Sequence, residues 1–153
     1  MDQYKFDFVQ SGFIDKVKEL TPQSVNRWGK MNAQQMVEHV SGFFKVSTNQ
    51  LHFPLITPLE QLPKFRAFLF SDKEFRENTK APVLPEEPKP VIYNSLQEAI
   101  ADLEYQINLF IEKFSSREIV SSQHPVFGDL NFEEWILLHY KHVTHHARQF
   151  GLL

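Results

Sequence analysis

The feature that most restricts the fold is an apolar seam between residues 96 and 114. Leu96, Ile100, Leu103, Ile107, Phe110 and Phe114 recur at alternating steps of four and three. That period puts all six on one stripe of a helix and suits a helical bundle or a short coiled coil. Ser95 and Glu98 stand where a capping box would start this helix. Glu98, Asp102, Glu104, Glu112 and Lys113 lie mostly off the seam and read as a solvated face.

Three further helices follow from the pattern. Phe13, Ile14, Val17 and Leu20 recur at helical steps within residues 8–20, with Gly12 weakening the start and Thr21-Pro22 stopping the segment. A connector over residues 25–31 carries Trp28, which is expected to plug the edge of the core. The second helix opens at Asn32, with Gln35 completing a capping box and Met36, Val40, Phe43 and Phe44 as its apolar stripe. The last helix starts at Asn131 with a matching Glu134 and stops at Gly151.

The connections are long. Pro54, Pro58 and Pro63 break up residues 48–63, and Phe65, Phe68, Leu69 and Phe70 then suggest a short apolar helix or a flap over the core. Pro82, Pro85, Pro88 and Pro90 make residues 78–93 an extended surface linker, because proline fixes φ and removes a donor. Residues 115–130 read as a loop, with His124 before Pro125 and exposed. The expected fold is therefore all-α: a four-helix bundle with a long Pro-rich connection between helices 2 and 3, in one domain spanning 1–153. The 153 residues suffice for one sizeable core.

Composition excludes several functions. The net charge of −3 is small, and no basic block supports nucleic-acid binding. No run approaches a membrane span, and the N-terminus lacks an apolar signal region, so a cytoplasmic protein is expected. The absence of cysteine removes disulfides, thiolate metal sites and a cysteine nucleophile. A thiol, where the chemistry needs one, has to come from a co-substrate.

Four of the seven histidines fall within residues 139–146, inside the last helix. At about 100° per residue, His139, His142 and His146 lie within roughly 60° of one another. His145 lies to the other side of His142, and Trp135, Leu138 and Gln149 share the stripe. His142 and His146, spaced i, i+4, can point the same way and ligate one cation. A third ligand has to come from elsewhere, and His39 is the one histidine outside the cluster that is placed within a helix. Gly42, three residues on, leaves space beside it. Three neutral imidazoles suit Zn, Ni, Fe or Co rather than Mg or Ca, and three ligands leave positions open for water or substrate. His139 stands as a fourth ligand or a pocket residue, and His145 as a residue that orients a ligand from behind or simply packs. The competing reading is a histidine-rich face without a specific site.

Familiar alternatives fail. There is no HExxH, and Val37-Glu38-His39 does not replace it. No glycine-rich phosphate loop and no Ser-His-Asp arrangement is legible.

The residues Met36-Val37-Glu38-His39-Val40 and the run Lys141-His142-Val143-Thr144-His145-His146-Ala147-Arg148-Gln149 resemble the DinB/YfiT superfamily of metal-dependent proteins. Its pattern is a histidine in the second helix followed by His-x-x-His-His-x-x-Gln in the last. Arg27-Trp28-Gly29-Lys30-Met31, His124-Pro125-Val126-Phe127-Gly128 and Gln149-Phe150-Gly151 extend the likeness to an uncharacterised subfamily across nearly the whole chain. The resemblance implies a four-helix bundle with a divalent metal held by His39, His142 and His146. It also implies a range of activities, among them thiol S-transfer or isomerisation with low-molecular-weight thiols such as bacillithiol, mycothiol or glutathione.

Two functions of different class are thus expected. One is a metal-dependent transferase or hydrolase acting on a small-molecule substrate. The other is a non-catalytic metal-binding or interaction module that forms a homodimer. An open cavity beside the three imidazoles favours the enzyme, whereas a site sealed by residues 65–70 favours the module. Tyr140 is expected to point away from the site, and Glu38 to stand a helical step from His39, so neither is assigned as a general base.

Overall fold

The computed structural model describes all residues, 1–153. Helix α1 runs through Gln3–Asp7, Phe8–Gly12 and Phe13–Val17 without a break, its middle segment being a π-type turn. It starts earlier than the apolar pattern predicts, because Asp2 caps it by accepting a hydrogen bond from the Lys5 amide. Gly12 is interior rather than initial. A Cβ there would meet the Phe8 ring at 2.9 Å, so the wide turn and the glycine accommodate one aromatic side chain.

Helix α2 (Ala33–Ser47) and helix α5 (Phe132–Gln149) begin with complete capping boxes, Asn32 with Gln35 and Asn131 with Glu134. Helix α4 (Leu96–Ser115) is capped by Ser95, but its Glu98 carboxylate accepts from the Asn94 amide rather than closing the box on Ser95. All six seam residues of α4 are buried, and α4 packs principally on α2. Helix α3 (Leu62–Leu69), the predicted apolar segment, buries Leu69 and packs against α5. The buried apolar side chains form one cluster, to which α1, α2, α4 and α5 contribute most.

The fold is mostly helical but not all-α. Residues expected to form a loop make an antiparallel hairpin, β1 (Ser121–His124) and β2 (Gly128–Asn131), with Ser122 opposite Leu130 and His124 opposite Gly128. Two local features close it. The His124 Nδ1 accepts from the Val126 and Phe127 amides at 3.0 and 3.3 Å, and Gly128 takes φ +79°. Ser122 Oγ then donates to the Ser47 carbonyl at 2.7 Å, which fastens the hairpin to the end of α2.

The irregular connections are pinned. In residues 48–63, the Ile56 amide donates to the Pro125 carbonyl and Thr57 Oγ1 to Val126. The Pro-rich linker runs beside α2: Gln34 donates to Tyr93, Gln35 to Lys89, and Glu38 accepts from the Ile92 amide. Lys141 is buried and donates to the carbonyls of Ser71 and Lys73 at 2.7 and 2.5 Å, holding the chain after α3 against α5. At the end of α5, Leu152 donates to Ala147 and Gly151 (φ +68°) to Arg148, a Schellman closure. No helix is long and apolar enough to cross a membrane.

Leu103 is the centre of the seam and fully buried. Leu103→Ala is expected to lower unfolding free energy by about 2–5 kcal/mol, seen as a reduced urea midpoint with an unchanged slope. A change below 1 kcal/mol would mean that α4 is not held by this seam.

Candidate metal centre

His39 comes from α2; His142 and His146 come from successive turns of α5. The packing of the two helices brings their rings edge to edge, with centroids 4.6–5.0 Å apart. Nε2 of His142 lies 3.0 Å from Nε2 of His39 and 3.1 Å from Nε2 of His146. The three ligand atoms lie within 4.8 Å of one another. Three nitrogens bound to one cation at 2.0–2.1 Å in a tetrahedral arrangement sit about 3.3 Å apart, close to the two separations from His142, so the three residues could hold a metal ion. In the absence of a cation, a single Nε2 hydrogen on His142 would be shared between two neighbouring lone pairs; a cation satisfies all three nitrogens at once.

The tautomer of His146 follows from its other side. Gln149 Nε2 donates to the Trp28 carbonyl at 3.0 Å, which leaves the Gln149 Oε1 as acceptor for His146 Nδ1 at 2.7 Å. The Nδ1–H thus points outward and the Nε2 lone pair inward, as a ligating imidazole requires. Sequence spacing carries this signal in part: Gln149 follows His146 by three residues and shares its stripe. The orientation of the amide depends on Trp28, 121 residues away in sequence.

Burial keeps the cluster neutral. Desolvation lowers the pKa of His39 to about 4, with the neighbouring His145 and Lys89 adding to the effect. Desolvation also holds His142 and His146 well below the usual histidine value, reinforced by the other imidazoles. Neutral imidazoles are the form that binds metal.

The other candidates lie around this trio. His139 is fully buried, stacked on Phe44 at 3.8 Å, and its Nε2 donates to Ser47 Oγ, which itself donates to the Phe44 carbonyl. Its ring is held in the aromatic core one turn before His142. His145 packs edge-on against His146 and Trp28, with centroids 5.0 and 5.5 Å away. His124 is buried, not exposed as expected: it closes the hairpin turn and packs on Phe43, Phe127 and Trp135. Tyr140 packs on Tyr4 and Phe8 of α1. Glu38 is engaged by Ile92.

Residues 65–70 do not seal the imidazoles as one of the two expectations had it. Phe65 and Phe68 pack on Phe127, and Phe68 also on Phe75, rather than on the imidazoles. The ring that covers His142 is Phe43, at 4.2 Å. A cleft of about 450 Å³ opens on the far side of His145, beside Trp28 and Phe75. Trp28 therefore does more than plug the core edge, because it lines this cleft and its carbonyl orients Gln149. Comparison of the chain with family models, curated proteins and solved structures returns no match.

The depressed histidines set a pH dependence. In the unfolded chain these residues take up protons as pH falls through about 6.5, whereas folded His39 does so near 4 and His124 near 3. Their contribution to stability is complete above pH 6.5 and is lost as pH falls toward those folded values. For metal-free protein, the unfolding free energy is expected to drop from pH 7.5 to 5.5 by on the order of 1 kcal/mol for each buried histidine, seen as a lower urea midpoint. An unchanged midpoint would mean that the imidazoles are hydrated in the folded state.

Proposed function

We propose that this protein holds one divalent transition-metal ion through His39, His142 and His146, in a DinB/YfiT-like helical bundle, and acts on a small molecule. The observation that carries the reading is the convergence of three Nε2 atoms within 4.8 Å. Support comes from the buried, neutral state of the ligands and from the Gln149 contact that turns the His146 lone pair inward. The all-imidazole donor set favours Zn, Ni, Fe or Co. Such a cation with open positions lowers the pKa of a water or thiol that reaches it, supplying a nucleophile near neutral pH.

The reaction class proposed is transfer to or from a low-molecular-weight thiol, or hydrolysis. The absence of cysteine fits a thiol brought by a co-substrate. A second reading, a non-catalytic metal-binding or dimeric interaction module, is favoured by the burial of His142 and His146 and by the Phe43 ring over His142.

Elemental analysis tests the site. Wild-type protein is expected to carry one divalent ion per chain and His142→Ala none, with both folded by circular dichroism. Equal metal content in the two proteins would remove the assignment. The reaction is tested separately, by incubating metal-loaded protein with glutathione, bacillithiol or mycothiol and an electrophile. Thiol consumption that disappears on chelation is expected; no metal-dependent rate with any of the three would favour the module.

A further inference from the structure

The cleft beside His145 carries charges that the metal centre does not use. Arg27, Arg76 and Arg148 line it together with Glu74 and Glu77, a formal excess of one positive charge. Only one of the three guanidinium groups is neutralised inside the protein: Arg148 Nη1 pairs with Glu74 at 3.1 Å. Arg27 and Arg76 have no carboxylate within ion-pair distance, and their guanidinium groups form no hydrogen bond within the chain. Two buried donors in the same wall, Trp28 Nε1 and Arg148 Nη2, also lack a protein partner.

The wall is held in place. The Arg27 amide donates to the Gln149 carbonyl at 2.7 Å, and its guanidinium lies over Gly151, where a Cβ would come within 3.2 Å of Nη2. On the opposite side, Lys141 fastens the carbonyls of Ser71 and Lys73, just before Glu74 and Phe75. The cleft has the size of a small-molecule pocket. Trp28, Phe75 and His145 supply flat apolar surface, while the guanidinium groups supply forked donors that match a carboxylate. A net charge of +1 suits a monoanion better than a dianion such as phosphate.

We infer that this cleft is a binding site for the carboxylate of a small, partly apolar organic acid. His145 separates it from His146 by one ring contact, and Trp28 is shared by the two sites through Gln149. A molecule anchored there is adjacent to the metal centre. As an anchor for a substrate of that centre, the cleft rests on the proposed function; as a binding site it does not.

Benzoate is the probe, with benzamide as its uncharged counterpart, and the ¹⁵N-indole signal of Trp28 is the readout. Trp135 is fully buried and serves as the internal reference. The indole signal is expected to shift saturably with benzoate and much less with benzamide. The Arg27→Gln/Arg76→Gln double variant removes no internal bond, so it keeps the fold and is expected to weaken benzoate about tenfold or more. His142→Ala removes the metal site and is expected to retain benzoate affinity. Equal shifts with benzamide, or unchanged affinity in the double variant, would overturn the inference. So would loss of binding in His142→Ala alone, since the carboxylate would then sit at the metal centre. Metal content measured on the same samples keeps a failure of the metal reading apart from a failure of the cleft.

Discussion

The structure depends on placing three imidazoles inside an apolar interface without charging them. An isolated polar group in such surroundings costs several kcal/mol unless its donors and acceptors are met. Here the solution is mutual. The Nε2 atoms of His39, His142 and His146 face one another, Gln149 takes the outward N–H of His146, and the Phe43 ring covers His142, whose Nδ1 is the one buried ring nitrogen of the trio without a partner. Burial then holds the rings neutral, and neutrality keeps the lone pairs available. Packing and ligand chemistry are the same constraint seen from two sides.

The surrounding elements can be understood as supports for that interface. The seam of α4 anchors α2 from behind, so that His39 faces α5. The hairpin, through Ser122 and Ser47, fixes the end of α2, and Ser47 also holds the ring of His139. His124 is part of the same device. It spends its Nδ1 on the turn and its ring on Phe43, which packs on His142, and on Trp135, which packs on His139. Lys141 and the Pro-rich linker dock the long connections against α5 and α2, and a cleft opens beside His145.

Much of this was legible in the chain. Capping residues mark the starts of α2, α4 and α5 because a cap acts over three residues, and Gly151 marks the end of α5 for the same local reason. The seam of α4 and the one-face placement of His142 and His146 follow from helical period alone. The hairpin was hidden because its strands are four residues each and rich in serine and glutamine, with little apolar alternation. The early start of α1 was hidden because its first turn faces solvent and has no apolar period to show.

Local sequence determined the helices, their caps and the pair of histidines one turn apart, since each depends on contacts within four residues. The sequence also singled out His39, as the histidine placed in another helix; tertiary structure alone decided that its Nε2 comes within reach of that pair, which way Gln149 turns, and that Trp28 and three arginines form a wall next to His145. Those outcomes require residues more than 100 positions apart to meet, and the packing of α2 and the residue 25–31 connector against α5 is what brings them together.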